Sequence, residues 1–358
     1  MSPEALIRPE LLRLAAYHVP DARGLVKLDA MENPYALPGE LAQALGRRLA
    51  AVPLNRYPDP RAQQLQAVLR REFAIPDGLG LLLGNGSDEL IQIIALALAR
   101  PGAVLLSVEP SFVMYRLIAE YAGLRYVGVP LTADFELDTA ALLAAMQAHR
   151  PAVVFLAYPN NPTGNAFDRA ALEAVIEAAP GLVVVDEAYH AFTGGLSFLD
   201  AVPKRDNLLL MRTLSKLGLA GLRLGYLVGA PRWIEQFDKL RLPYNVNALS
   251  QCAAAFALEQ MPVLSAQAHA IVAERERLAL TLAALPGVRV YPSRANFLLL
   301  RLPQAAAVFE GLKRRGVLVK NLHGSHPLLT DCLRVTVGTP EENQVFLDAL
   351  QAELDAIR

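Results

Sequence analysis

The sequence predicts an α/β fold: a three-layer αβα large domain around a mostly parallel sheet, joined to a smaller α+β domain. Three observations point there. Seven short apolar runs alternate with longer amphipathic stretches, glycine- and asparagine-rich turns follow several of those runs, and the texture changes after Pro231 to long alanine-rich segments. The runs that read as strands are 79–83, 103–108, 125–129, 152–157, 182–186, 207–212 and 223–228, with helix candidates at 87–99, 111–122, 138–149 and 168–179. Strands joined through helices run parallel, so most of the sheet is expected to do so. Farther on, 248–285 reads as one or two helices, 288–291, 296–302 and 332–337 as strands, and 304–315 and 341–357 as helices. The expected division is an N-terminal arm with part of the small domain over 1–45, the large domain over 46–255 and the small domain over 256–358.

Composition narrows the function classes. A chain of 358 residues with 53% hydrophobic and 19% charged residues can bury a large core. A formal charge of −1 supplies no basic stripe for a nucleic-acid backbone, which leaves small molecules as the expected partners. Apolar runs fall well short of the roughly 20 residues that cross a bilayer, and the first ten residues carry acids and prolines where an export signal needs a continuous apolar stretch. Cys252 and Cys332 make neither a disulfide framework nor a zinc set, as expected of a cytoplasmic protein without a metal.

Ligands of open α/β sheets gather where strands end, so the residues after each run carry the functional reading. The first run leads into Gly84-Asn85-Gly86-Ser87-Asp88-Glu89, where glycines allow a tight turn, Ser87 can cap, and the amides of the first helical turn form an anion site. The next ends at Glu109-Pro110-Ser111-Phe112, which sets an aromatic ring at a strand-to-helix turn. The fourth enters Tyr158-Pro159-Asn160-Asn161-Pro162-Thr163-Gly164, a rigid turn able to present one amide to a ligand oxygen. The fifth ends in Asp186-Glu187-Ala188-Tyr189, and a carboxylate at the end of a buried strand needs a cation or donors. The sixth ends in Thr213-Leu214-Ser215-Lys216 and continues to Arg223, concentrating hydroxyls, an amine and a guanidinium.

Each string alone also reads as an ordinary turn, a core aromatic, an arginine–aspartate ion pair or a loop lysine. Together they fit pyridoxal 5′-phosphate (PLP), which makes the large domain a PLP-binding one. Its phosphate suits Gly86, Ser87, Asp88 and Arg223 with the hydroxyls of Thr213 and Ser215, its flat ring suits Phe112, and its phenolic oxygen suits Asn161 and Tyr189. Lys216 suits its aldehyde, and Asp186 can keep the pyridine nitrogen protonated. Lys216, Asp186 and Tyr189 are therefore the expected catalytic residues, with Lys216 also moving the proton between substrate and cofactor.

Laid out in this order, the strings resemble the fold-type I aminotransferases, and within them the histidinol-phosphate aminotransferase family, over essentially the whole chain. Leu28-Asp29-Ala30-Met31-Glu32-Asn33-Pro34-Tyr35, Asn55-Arg56-Tyr57-Pro58 and Cys332-Leu333-Arg334-Val335-Thr336-Val337-Gly338 complete the set. The resemblance implies transamination of histidinol phosphate with 2-oxoglutarate in histidine biosynthesis, by a homodimer with shared active sites. It further implies that Tyr57 reaches the cofactor phosphate of the neighbouring subunit, that Tyr35 approaches the substrate across the same interface, that Arg334 binds the substrate anion and that Asn296 lies close to it. Three departures stand out: the loop after Lys216 is one residue short, Lys320 stands where many members have a phosphate-binding arginine, and Met31 replaces an asparagine. Rival readings are an aromatic amino-acid aminotransferase, a threonine-phosphate decarboxylase of the same fold, a non-enzymatic PLP-binding module, and a metal site at His323, His326 and Cys332.

Overall fold

The computed structural model describes residues 1–16 and 19–357. A short first strand, β1 (Val26–Lys27), stands apart from a seven-stranded sheet. That sheet comprises β2 (Gly80–Gly84), β3 (Val104–Glu109), β4 (Arg125–Pro130), β5 (Val153–Ala157), β6 (Leu182–Asp186), β7 (Leu208–Thr213) and β8 (Gly225–Gly229), in the order β2-β8-β7-β6-β5-β3-β4. From β7 across to β4 every ladder is parallel, and β8 runs antiparallel to both β7 and β2. The reversal puts the start of β8 at the edge where the other strands end. Gly84 and Thr213 are both register partners of Gly225, and Ala157 lies opposite Asp186.

The strands read as unbroken apolar runs because both faces of the sheet are covered. Val154, Leu156, Val183, Val185, Leu208 and Leu210 enter one core with the helices Gln63–Glu72, Thr139–His149, Arg169–Ala178 and Ala248–Leu258. The alternate residues Val153, Phe155, Leu182, Val184, Leu209 and Met211 enter a second core with Ser87–Leu98, Met114–Ala122 and Pro231–Asp238. Three layers result, as expected from the sequence.

Element ends differ in instructive ways. The helix expected from 111 starts at Met114, because Ser111 and Phe112 turn toward the sheet edge, where the Ser111 hydroxyl donates to Asn160 Oδ1 at 2.8 Å. The 248–285 segment divides into Ala248–Leu258 and Met261–Ala283, and Pro262, lacking an N–H, occupies the first turn of the second helix. The helices Gly39–Ala50, Gln63–Glu72 and Pro231–Asp238 form where the sequence reading places no element, and none buries more than three residues.

The remaining strands are β9 (Arg289–Val290), β10 (Phe297–Arg301), β11 (Val317–Leu318), β12 (Lys320–Asn321) and β13 (Cys332–Thr336). The antiparallel sheet β12-β13-β10-β9 packs against Ala305–Arg314 and Pro340–Ala356, the latter opened by a capping box of Thr339 and Glu342. β1 pairs parallel with β11, which draws the N-terminal segment alongside this sheet. No helix of the described residues is long and apolar enough to cross a membrane.

Candidate active site

The edge marked by Ala157, Asp186 and Thr213 opens into a cavity of about 390 Å³. Ten of the twelve residues expected to hold the cofactor line it: Ser87, Asp88, Phe112, Asn161, Asp186, Tyr189, Thr213, Ser215, Lys216 and Arg223. Gly86 lies just behind that wall, and Tyr57 does not reach it.

At one end the cavity is built for an anion. Ser87 is the first residue of its helix, and Gly86 is the N-cap with no side-chain capping bond. This corrects the expected Ser87 cap: the serine side chain lines the cavity and leaves the first-turn amides open to a ligand. Two glycines make the close approach possible. Gly86 has φ +89°, and a Cβ there would stand 2.7 Å from Arg223 Nη2; a Cβ at Gly225 would stand 2.6 Å from the Ser87 amide nitrogen. The short loop after Lys216 closes through the turns Ser215–Leu217 and Ala220–Leu222, leaving Arg223 in the left-handed region at φ 50°. A non-glycine residue there stores strain that the surrounding structure must hold. Its guanidinium arrives 3.4 Å from Asp88 Oδ2 and 3.5 Å from Ser215 Oγ, and Thr213 Oγ1 donates to that serine at 3.0 Å.

At the other end Asp186 ends β6, 4% exposed. Among the described residues it has no salt-bridge partner, and the nearby Arg212 is committed to Glu187, whose Oε2 it contacts at 2.8 Å in a fully buried pair. Asp186 instead accepts the Tyr115 hydroxyl at 2.7 Å on Oδ2 and the Ala188 amide at 3.1 Å on Oδ1. Burial pushes its carboxyl up to about 6, against the pull of those two donors.

Between these ends lies Lys216. Burial, then the Arg334 guanidinium, brings its amine down to about 8, and Nζ donates to the Ala30 carbonyl at 3.1 Å. Phe112 and Tyr189 also face this space; Tyr189 is fixed edge-on against Phe297, with ring centres 5.2 Å apart. Asn160 is absorbed by the turn, whereas Asn161 faces the cavity and accepts a short hydrogen bond from Arg334 Nη1 on its Oδ1. Arg334 Nη2 donates to the Asp29 carbonyl at 2.9 Å. Past Met31, Phe112 and Asn161 a second cavity of about 660 Å³ continues outward, bordered by both Lys320 and Arg334. These two cations are direct partners across the β12–β13 ladder, so their side chains leave the same face of that sheet. Burial and the neighbouring Arg334 charge both lower the Lys320 amine, so an anion placed here relieves them.

The profile of the "Aminotransferase class I and II" family matches residues 23–350. The chain belongs to that family. Histidinol-phosphate aminotransferase 1 of Ralstonia nicotianae is 58% identical to it over 98% of this chain and 94% of its own, and histidinol-phosphate aminotransferase of Chromobacterium violaceum is 56% identical over 97% and 98%. A crystal structure of histidinol-phosphate aminotransferase from Sinorhizobium meliloti in complex with pyridoxal-5′-phosphate superposes with a TM-score of 0.89 at 25% identity, covering 99% of both chains. L-threonine-O-3-phosphate decarboxylase from Porphyromonas gingivalis also shares the fold, with a TM-score of 0.79 at 25% identity over 92% of this chain and all of that one.

Besides Gly86, three expected site residues of this aminotransferase-family chain lie outside both cavities. Tyr57 is 81% exposed and stacks on Tyr244 with ring centres 4.4 Å apart. Tyr35 packs beside the cluster of Met31, Tyr189 and Phe297. Asn296 is fully buried and donates to the Met31 carbonyl at 3.0 Å, so it holds the wall that carries Met31. Tyr115 was not legible as a site residue, since nothing in Val113-Met114-Tyr115 signals that its hydroxyl meets a carboxylate from another strand. Among the described residues no group of three or more His, Cys, Asp or Glu is placed to hold a metal; His323 and His326 each accept a backbone amide of their own loop.

Proposed function

We propose that the chain is a PLP-dependent transaminase that passes the amino group of histidinol phosphate to 2-oxoglutarate, giving imidazole-acetol phosphate and glutamate, in histidine biosynthesis. The observation that carries the cofactor is Asp186, a buried carboxylate without a cation in the same cavity as an amine and an anion cradle. A ligand with a ring N–H⁺, an aldehyde and a phosphate meets all three needs. When bound, PLP supplies an electron sink for the carbon that loses its proton. Asp186 would accept the ring N–H⁺, the Gly86–Ser87 helix start and Arg223 would bind the phosphate, and Phe112 would cover the ring. Lys216 would hold the carbonyl carbon and, as a free amine, would take the proton from the substrate carbon. Asn161, held by Arg334, and Tyr189 turn donors toward the ring oxygen.

The relatives at 58% and 56% identity, together with the paired cations, support the substrate. Histidinol phosphate carries a phosphate and no carboxylate, whereas glutamate carries two carboxylates and no phosphate. Arg334 can fork onto either anion, and Lys320 adds a point charge that a dianionic phosphate uses most fully. Lys320→Ala should therefore raise KM for histidinol phosphate roughly tenfold more than KM for phenylalanine, while Arg334→Ala damages both. Side-by-side assays of histidinol phosphate, phenylalanine and threonine phosphate check this. Equal effects of Lys320→Ala, or faster turnover of phenylalanine by the unmodified enzyme, would replace the substrate with an aromatic amino acid, and carbon dioxide release from threonine phosphate would make the enzyme a decarboxylase.

The same reading includes a homodimer with composite sites in the cytoplasm. Leu54, Tyr57 and Leu242 are 74%, 81% and 73% exposed, the kind of apolar surface that a second copy covers. Mixing inactive Tyr57→Ala and Lys216→Ala chains should restore one working site per mixed dimer, up to about a quarter of full activity at equal, random mixing. Proven subunit exchange without recovery would remove Tyr57 from the neighbour's site. Both cysteines are free, as suits a reducing compartment, and cell fractionation tests that placement.

A further inference from the structure

We propose that Tyr115 is a positioning residue for the reaction: its hydroxyl keeps the Asp186 carboxylate ionised and aimed into the cavity, ready for a protonated ring nitrogen. The proposal rests on the cavity holding PLP. Tyr115 is wholly buried, stacked on Phe155 with ring centres 5.0 Å apart and set edge-on to Phe112 at 5.5 Å. Its rotation is thus blocked on two sides, and its O–H points at Asp186 Oδ2, 2.7 Å away. Phe112 is the residue that covers the ring, so one tyrosine braces both the wall the ring lies on and the carboxylate at its nitrogen.

The charges around Asp186 explain why this donor matters. Asp88 and Glu187 both act against the ionised carboxylate, and Tyr189 lies close by as a neutral phenol. Lys216 and Arg223 face the same cavity, but neither makes a hydrogen bond or salt bridge to Asp186 among the described contacts. Arg212 is turned to Glu187. The Tyr115 hydroxyl and the Ala188 amide are the two donors that offset burial. Without the phenol, the aspartate would hold a proton over much of the neutral range and could not pair with a pyridinium.

The test measures binding of pyridoxamine 5′-phosphate, which has no aldehyde and forms no bond to Lys216, to apoprotein from pH 5 to 8. Tyr115→Phe keeps the ring packing and removes the donor. The ratio of its Kd to that of the unmodified chain should grow roughly tenfold from pH 8 to pH 5, the result of about one unit of upward shift in Asp186. The phosphate's own ionisation near pH 6 is common to both chains and cancels in the ratio. In an Asp186→Asn background the same substitution should give a ratio independent of pH. A constant ratio in the Asp186 background means that Tyr115 only fills space, and overturns the proposal. No binding by the unmodified chain would instead overturn the PLP reading. Should Tyr115→Phe fail to fold, 3,5-difluorotyrosine at position 115 keeps the shape and strengthens the donor. Affinity relative to the unmodified chain should then improve toward low pH, and an unchanged ratio overturns the proposal equally.

Discussion

Lys216→Ala should lower kcat/KM for transamination by at least about 10⁴-fold, the largest single effect expected in this protein. The proposed mechanism gives this one amine two roles, anchoring the cofactor carbonyl and moving the substrate proton. With its amine brought to about 8, Lys216 is roughly one-tenth neutral at pH 7, where an ordinary lysine is neutral in fewer than about one molecule in a thousand. Uptake of PLP by the apoprotein should therefore quicken about tenfold per pH unit below 8 and level off above it. Borohydride treatment of the loaded enzyme, followed by peptide mapping, should find the pyridoxyl group on Lys216. Its discovery on another lysine would remove the roles given to every neighbour as well. Crystals of Lys216→Ala should show the carbonyl of Ala30 without its 3.1 Å donor and the rest of the cavity unchanged.

Asp186→Ala should bind PLP more weakly and lose roughly 10²- to 10³-fold in kcat, because the ring nitrogen no longer keeps its proton. The stability effect should run the other way. An acid whose folded pKa is raised disfavours the native state once it ionises: below about pH 4 the group is protonated folded or unfolded, and above about pH 6 the full cost is present. Asp186→Asn, which keeps an acceptor for Tyr115, should therefore make the apoprotein more stable at pH 7, by up to about 3 kcal/mol, with the gain shrinking toward pH 4. Urea unfolding at pH 5 and 7 measures it. Near-normal turnover in Asp186→Ala would reduce this aspartate to a structural group, and an Asp186→Asn apoprotein no more stable than the parent would show that burial exacts no cost there.

Several site residues could be read in sequence because each follows a strand whose apolar run is unmistakable. Asp186 and Lys216 stand at or just past the ends of β6 and β7, and any parallel sheet brings such ends to one edge. Glu187 carries a different lesson. An arginine partner for Asp186 is the ordinary alternative reading of that string, but Arg212 takes the neighbouring Glu187, which points into the core, and leaves Asp186 facing the cavity. Alternation along a strand decides which of two adjacent acids faces which side, and a one-residue change of register would exchange them.

The α/β layering and the strand ends that line the cavity were legible in local sequence, since both depend on period and on residues within one turn of each other. Tertiary structure alone decided three things. β8 reverses, and so brings Arg223 to the Gly86 helix start; Lys320 lies opposite Arg334 and so joins it on one cavity wall; Tyr115 reaches across to Asp186, 71 residues away in sequence. Each of these joins segments whose separation along the chain leaves no trace in local composition. The energy that selects such pairings comes from packing two covered faces of a sheet, and only the closed core specifies which distant side chains share an edge.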